Sequence, residues 1–334
     1  MSWKRLGRVF AAEGHDWISQ TVEGAHVANG TGNRTQVPTA ILMDDRIRIY
    51  FSSRDKKGRS YPLFIDVDRT DPTAVINYRE TSVLELGAFG TFDEDGIMPG
   101  FVLRHRDRLL MYYSGWNAKI STPYHNATGL AESFDGGETF ERVFEGPVMD
   151  RTPTEPQLAV TPSILIEDGV WKCWYISGLK WIDVDGYREP VYAIKYATSP
   201  DGVTWERPPA LCVPQRHPNE AFSHPSVLHT ESGYEMWYCF RDSHNYRAGG
   251  SGGYRIGYAY SKDGVTWTRA DDFGGMGVSD ESWDNEMVCY PFVLEVDGRR
   301  LMFYNGNNFG AAGIGVAEWV TENHMENHPL GSAS

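Results

Sequence analysis

The segment PFVLEVDGRRLMFYNG, residues 291–306, decides the fold. A proline opens a short apolar run, Asp297-Gly298 turns the chain, and a second apolar and aromatic run returns, which reads as a β-hairpin. The same arrangement occurs four more times. PTAIL from Pro38 precedes RIRIYFSS from Arg46, PGFVL from Pro99 precedes RLLMYYSG from Arg108, PSILI from Pro162 precedes VWKCWYISG from Val170, and PSVLH from Pro225 precedes GYEMWYCFR from Gly233. Successive prolines are 61, 63, 63 and 66 residues apart, a period that fixes a repeat architecture before any local assignment.

A third run follows in each copy: YPLFIDVD, ATGLAESF, YAIKYATS, YRIGYAYS and AGIGVAEW. Small and large residues alternate in it, as suits a strand packed between neighbouring sheets. Three copies continue through Ser133-x-Asp135-Gly, Ser199-x-Asp201-Gly and Ser261-x-Asp263-Gly turns into a fourth strand. There the aspartate accepts hydrogen bonds from the turn backbone and glycine supplies the positive φ, so these acids read as structural. The last copy has only three strands, and the strand-like segment from Lys4 to Phe10 belongs to no copy. The expectation is therefore a single all-β domain over residues 1–322. It is a five-bladed β-propeller of four-stranded antiparallel blades, its ring closed by the N-terminal strand pairing with the last blade. Residues 323–334 are polar and read as a disordered tail or a cloning scar.

Bulk properties narrow the partners. With 45 acidic against 31 basic residues, the formal charge of −14 disfavours nucleic acid and anionic membranes, and leaves a neutral ligand such as a sugar open. No stretch of signal-peptide length and no run of eighteen apolar residues occurs, so the chain reads as cytoplasmic, with no membrane partner. The four cysteines show no metal or disulfide spacing and read as buried thiols. HExxH, Walker A, dinucleotide and Gly-x-Ser-x-Gly signatures are absent, so neither a metal nor a cofactor is expected. Nothing in the sequence reports the oligomeric state.

In a propeller the segments entering the first strands gather at one end of the central channel, so residues just before the five prolines are expected to converge. Acids recur five positions before the proline, as Glu94, Glu220 and Glu286, with Asp93, Asp95, Glu155 and Asp284 nearby. Carboxylates crowded at a concave site raise one another's pKa, which separates a general acid from a base or nucleophile. Gln36, His224 and Tyr290 lie within two residues of a proline, and His125 lies in a loop of the second copy. Trp116, Tyr124, Trp181, Trp283 and Phe309 are candidates to stack on a sugar ring. Arg54-Asp55 and Arg241-Asp242 follow second strands, where an arginine held by its neighbouring acid would bind ligand hydroxyls or a carboxylate.

These repeats, the SxDGxTW turns, and the strings RIYFSSRD, GTFDEDGIMP, YRIGYAYSKDG and YPFVLEVDGRRLMFYNGN resemble the five-bladed furanosidase-type propellers. Those are the glycoside hydrolases of families 43 and 32 and their relatives, in particular a bacterial glycosyl-hydrolase-like branch associated with polysaccharide clusters. The resemblance implies a funnel site with a base or nucleophile from the first blade, a pKa-tuning aspartate and a glutamic general acid. On it, Asp95, or else Asp93, is base or nucleophile, Glu220 is general acid, and Glu286 with Asp284 tunes or binds hydroxyls. Substrate contacts fall to Gln36, Arg54, Trp116, His125, Glu155, Trp181, His224, Arg241 and Tyr290. The family commonly places its first aspartate directly before the first proline, where this chain has Val37 after Gln36. Three readings follow: a glycoside hydrolase or transglycosidase on a small-molecule or oligosaccharide substrate, a lyase, cyclase or isomerase using the same funnel, or a non-catalytic glycan-binding module.

Overall fold

The computed structural model describes residues 2–12, 34–248 and 250–320. The tail expected over residues 323–334 lies outside the described residues.

The chain is all-β. Strand β1 (Ser2–Phe10) stands apart from the repeats. The first unit contains β2 (Gln36–Leu42), β3 (Arg46–Arg54), β4 (Ser60–Asp68) and β5 (Val75–Tyr78). The second contains β6 (Gly96–His105), β7 (Arg108–Ala118), β8 (Tyr124–Ser133) and β9 (Glu141–Arg142). The third contains β10 (Ala159–Glu167), β11 (Val170–Val184) and β12 (Tyr187–Ser199), with a bridge from Thr198 to Glu206 in place of a fourth strand. The fourth contains β13 (Glu220–Thr230), β14 (Gly233–Asp242), β15 (Arg255–Ser261) and β16 (Thr268–Arg269). The last contains β17 (Cys289–Val296), β18 (Arg299–Asn305) and β19 (Ile314–Val320), and β1 pairs antiparallel with β19 to supply its fourth strand. Helix among the described residues is limited to turns of three or four residues.

Each unit is a meander, and the apolar core lies between units. Ile47, Ile49 and Phe51 of the first unit pack with Phe292, Phe303 and Val316 of the last. Tyr50 and Phe64 pack with Met111 and Tyr113 of the second. Tyr112 packs with Tyr175, Trp174 with Met236, and Trp237 with Met302. The inner strands touch in the order β2, β6, β10, β13, β17 and back to β2. A second strand is thus covered on both faces, which is why β3 is buried without interruption from Ile47 to Ser53. Arg48 within it is fully buried, paired with Asp66 at 2.7 Å and lying 3.6 Å from the Phe64 ring centroid. The Ser-x-Asp-Gly turns fold as read: Asp201 and Asp263 each accept two backbone N–H bonds at 2.8 Å, and bonds of the same kind outweigh desolvation to hold the Asp135 carboxyl down at about 2.

Every inner strand carries a register shift at its proline, at Gln36/Thr39, Pro99/Phe101, Val160/Ser163, Ser223/Ser226 and Cys289/Phe292. Bulges of this kind re-aim side chains and bend the strand. They position the candidate site.

Candidate active site

Immediately before the shifted prolines, Val37, Thr161, His224 and Tyr290 have φ of +61°, +48°, +52° and +53°. Left-handed backbone is strained in any β-branched residue, and a following proline disfavours helical φ/ψ further. Conformations of this kind persist only where the surroundings over-determine them. Here the neighbouring unit does so. The Val37 N–H donates to Asn305 Oδ1 at 2.8 Å, the Thr161 N–H to Ser114 Oγ at 3.2 Å, and the Tyr290 N–H to Cys239 Sγ at 3.4 Å.

Asn305, Ser114 and Cys239 directly follow Tyr304, Tyr113 and Tyr238, which serve a second device on the opposite face of the same strands. The Tyr113 hydroxyl donates to Asp93 at 3.0 Å, and Asp93 also accepts from Arg142 at 2.7 and 2.9 Å. The Tyr304 hydroxyl donates to Asp284 at 3.0 Å, where Arg5 pairs at 3.0 Å. Tyr175 donates to Glu155 at 2.8 Å, beside Lys195 at 2.8 Å and Arg207 at 3.2 Å. Arg269 forks onto both oxygens of Glu220 at 2.8 and 2.9 Å and reaches Asp271, the acceptor of Tyr238. In each case the arginine sits on or next to the outermost strand. The buried acid therefore ties the incoming loop to its own unit, as a clamp repeated in four units. Third-strand glycines make room for it: a Cβ on Gly129 would lie 2.2 Å from Tyr113 Cζ, and one on Gly257 would lie 2.6 Å from Tyr238 Cε2.

Four of the acids expected at the site, Asp93, Glu155, Glu220 and Asp284, are thus held in clamps. The other three, Glu94, Asp95 and Glu286, enter no ion pair among the described residues, and Glu94 accepts the Gly90 N–H at 2.8 Å. Asp95 is half-buried, accepts one bond from the Ala118 N–H at 2.8 Å, and adjoins Trp116 through its own N–H. Glu286 is exposed and enters no ion pair among the described residues, while its N–H donates to Asn307. The structure does not bring Asp95, Glu220 and Glu286 together through any direct hydrogen bond or shared partner.

The Arg-Asp pairs also separate. Asp55 turns to Arg59 at 2.8 Å and Asp242 turns to His244 at 2.8 Å. Arg54 instead donates to Gln36 Oε1 at 3.0 Å and the Gly58 carbonyl at 3.2 Å, and lies 5.5 Å from the Trp116 ring centroid. Arg241 is buried against the Tyr246 ring at 3.6 Å and donates to Tyr254, Ser243 and the Pro190 carbonyl. His125 sits away from these groups, between Asp150 at 2.8 Å and Arg151 at 2.9 Å.

What does converge is a collar of arginines and tyrosines drawn from every unit. Arg54 and Arg34 of the first unit lie within electrostatic reach of each other and of Tyr290 of the last, and Arg54 also of Tyr124 of the second. Tyr124 meets Tyr192 of the third unit hydroxyl to hydroxyl, and Trp181 lies edge-on to Tyr124 at 5.3 Å. Arg241 of the fourth unit lies 5.9 Å from Tyr192, and its partner Tyr254 lies 6.0 Å from Tyr290. Burial raises the pKa of Tyr124, Tyr192, Tyr254 and Tyr290, which keeps these phenols neutral. Arg34, Arg54, Trp116, Tyr124, Trp181 and Tyr290 keep partial exposure. Arg34, Tyr192, Tyr246 and Tyr254 were not singled out by sequence. The tyrosines sit in segments that read as packing, and the only signal for Arg34 is its place four residues before Pro38.

His224 lies beneath the collar, its ring 6.1 Å from that of Tyr290. Its Nδ1 is 3.0 Å from the Pro291 carbonyl, which can only accept, so Nδ1 carries the proton and Nε2 is a buried lone pair without a partner among the described residues. Burial lowers its pKa to about 4, only partly offset by that hydrogen bond. An unfolded histidine protonates near 6.5, so between about 6.5 and 4 the unfolded chain binds the extra proton and stability falls as the pH falls. Thermal melts across this window are expected to decline for the natural protein and to flatten for His224→Gln. An equal slope in both would remove His224 as the cause.

No family model matches the chain. Two Mycobacterium tuberculosis proteins, uncharacterized protein MT1551 of strain CDC 1551 / Oshkosh and uncharacterized protein Rv1502 of strain ATCC 25618 / H37Rv, are each 35% identical over 325 residues, spanning 97% of this chain and 100% of the relative. The chain belongs to their family. Among solved structures, a putative glycosidase from Bacteroides thetaiotaomicron is 15% identical with a TM-score of 0.66, covering 95% of this chain and 96% of that one. A thermostable family-43 glycoside hydrolase is 15% identical with a TM-score of 0.64, covering 91% and 98%. A protein of the GH130 family of mannoside phosphorylases, described as containing glycoside hydrolases that target β-1,2 mannosidic linkages in Candida mannan, is 14% identical with a TM-score of 0.64 over 98% of both chains. At such identities the likeness shows the fold, an all-β, propeller-like architecture of the glycoside hydrolase type. No helix among the described residues is long and apolar enough to cross a membrane.

Proposed function

We propose that the chain is a carbohydrate-active enzyme, most simply a glycoside hydrolase or transglycosidase, built as a five-bladed propeller whose ring β1 closes on β19. One observation carries the reading: side chains from all five units form one closed chain of neighbours, from Arg54 through Tyr124, Tyr192, Arg241 and Tyr254 to Tyr290 and back, over inner strands strained at their prolines. The neighbours' fold supports it, because their names are those of proteins acting on glycans. Trp116, Trp181 and Tyr290 offer ring faces and edges to a sugar, and Gln36 and the arginines offer hydrogen bonds to its hydroxyls.

Asp95 and Glu286 are, with Glu94, the expected acids left outside the clamps, and we assign these two to the chemistry, Asp95 as base or nucleophile and Glu286 as its counterpart. One carboxyl would protonate the glycosidic oxygen while the other activates water or attacks the anomeric carbon. The test is a panel of aryl glycosides and oligosaccharides with mass analysis of products. The natural protein is expected to release a sugar with the addition of one water, and Asp95→Asn to lower turnover roughly a hundredfold at an unchanged melting temperature. Full activity in Asp95→Asn, or no turnover of any glycoside, overturns the assignment. A lyase or isomerase reading is favoured by Val37 before Pro38 and by a collar of guanidinium and phenol groups. A product isomeric with the substrate, or an unsaturated sugar formed by elimination, would select it.

A further inference from the structure

In a chain with 45 acidic and 31 basic residues an arginine readily finds a carboxylate, and Arg48, Arg142, Arg207 and Arg269 all do. Arg34 and Arg54 are different. Among the described residues neither pairs with an acid. Arg54 donates to the amide oxygen of Gln36 and to a carbonyl, and Arg34 donates to the Asn308 carbonyl. A guanidinium has five N–H donors, so both keep donors to spare, and neutral acceptors hold their forks in place without cancelling the charge. The two are neighbours in the fold: the Arg34 N–H donates to Ser53 Oγ at 3.3 Å, beside Arg54, and Gln36, which holds Arg54, lies two residues after Arg34. Burial lowers the pKa of both, and the charge of Arg34 lowers that of Arg54 further. Arg241 adds a third guanidinium to the collar with only hydroxyl and carbonyl partners, and Tyr246, Tyr254 and Tyr192 around it are neutral.

The loop that meets Arg34 is itself shaped for this contact. Asn308 and Phe309 both have positive φ, at +54° and +56°. The turn is anchored by Asn307, whose side chain accepts from the Glu286 and Met287 N–H groups and donates to Ser282 and Asn285. Phe309 packs edge-on against Tyr246 at 5.8 Å. Strain held by such packing presents the Asn308 carbonyl to Arg34 and fixes that guanidinium at the rim.

Resting on the carbohydrate reading above, we propose that the collar takes a sugar bearing an oxyanion, which Arg34 and Arg54 grip together while Trp116 and Tyr290 flank the ring. Planar guanidinium forks match the oxygens of a carboxylate or a phosphate, and an anion there relieves the repulsion between the two cations. The shared chemistry is the oxyanion; its source is a sugar acid or a sugar phosphate.

The test is titration calorimetry of the full chain with glucuronic acid, glucose 6-phosphate, neutral glucose and inorganic phosphate. At least one anionic sugar is expected to bind about tenfold or more tightly than glucose, and less tightly at high salt. Whichever binds better names the source. Arg54→Met and, separately, Arg34→Met are each expected to weaken that binding by about tenfold or more, with Arg54→Lys intermediate. The two arginines lie on different segments, so misfolding of one variant, read from its melting temperature, leaves the other as the test. The inference is overturned if glucose binds as well as the anionic sugars, if no anionic probe binds, or if binding survives both substitutions. Those outcomes leave the glycoside panel to judge the carbohydrate reading by itself. Arginine-dependent binding of inorganic phosphate with no sugar bound would support the anion site and overturn the carbohydrate reading.

Discussion

Removing Ser2–Phe10 is expected to leave a chain that no longer unfolds cooperatively and that aggregates at concentrations where the whole protein does not. Strand β1 completes the last unit along seven paired positions of β19, from Ser2↔Val320 to Phe10↔Ile314. Without it β19 becomes a long apolar edge with unpaired N–H and C=O groups, which is a template for association. Side chains add to the backbone loss. Trp3 is 8% exposed, donates from its indole to the Gly274 carbonyl at 2.9 Å, and lies edge-on to Trp237 at 5.7 Å and Trp319 at 5.0 Å. Arg5 leaves Asp284, an acid with no side-chain exposure, without its guanidinium. Trp3→Ala alone is expected to cost about 3–5 kcal/mol, read from the shift of a urea midpoint at constant slope. A synthetic peptide of residues 2–12 added in trans should restore part of the lost melting transition. A truncated chain that melts like the natural one would mean that β1 merely decorates the last unit.

How far the sequence carries the reader depends on how local each constraint is. The hairpins were legible because proline, the apolar run and the Asp-Gly or Asp-Arg turn all act within a few residues, and burial on both faces removes polar interruptions. The fourth strand from Lys4 to Phe10 was legible by subtraction, since the last copy lacks one. The acids were legible as a pattern whose meaning lay elsewhere. A feature that recurs in unit after unit marks what every unit needs, and what each needs is a carboxylate to anchor its loop to an arginine near its outer edge. A single site shared by five units is instead made of residues that differ between them. Arg54, Tyr124, Tyr192, Arg241 and Tyr290 occupy the collar without forming any repeat. Arg54 and Asp55 part for a simpler reason: β3 ends at Arg54, and Asp55 opens the following turn, where its carboxylate accepts from the Lys57 and Arg59 N–H groups.

Glu220 separates these two kinds of acid most sharply, because its removal is expected to cost folding stability and not chemistry. Its side chain is 3% exposed, that of Arg269 is 8%, and the two guanidinium nitrogens meet the two carboxylate oxygens at 2.8 and 2.9 Å. A general acid needs an oxygen free to carry a proton toward the leaving group, and here both are engaged by the Arg269 fork. Breaking a buried pair from one side leaves the other charge stranded, at about 3–5 kcal/mol. Glu220→Gln should therefore lower the melting temperature strongly, while turnover per folded molecule, measured well below the melt, stays near that of the natural protein. Adding Arg269→Met should return part of the stability, because the guanidinium stranded by Glu220→Gln is then gone while Asp271, its other partner, keeps Arg216 at 2.9 Å, and the loss is smaller than the sum of the two single losses. Asp95→Asn is expected to show the reverse, an unchanged melt with turnover lost. If Glu220→Gln melts normally and is inactive, the carboxylate belongs to the chemistry, and the clamp would have to be understood in this unit as a device for setting the protonation of a catalytic group.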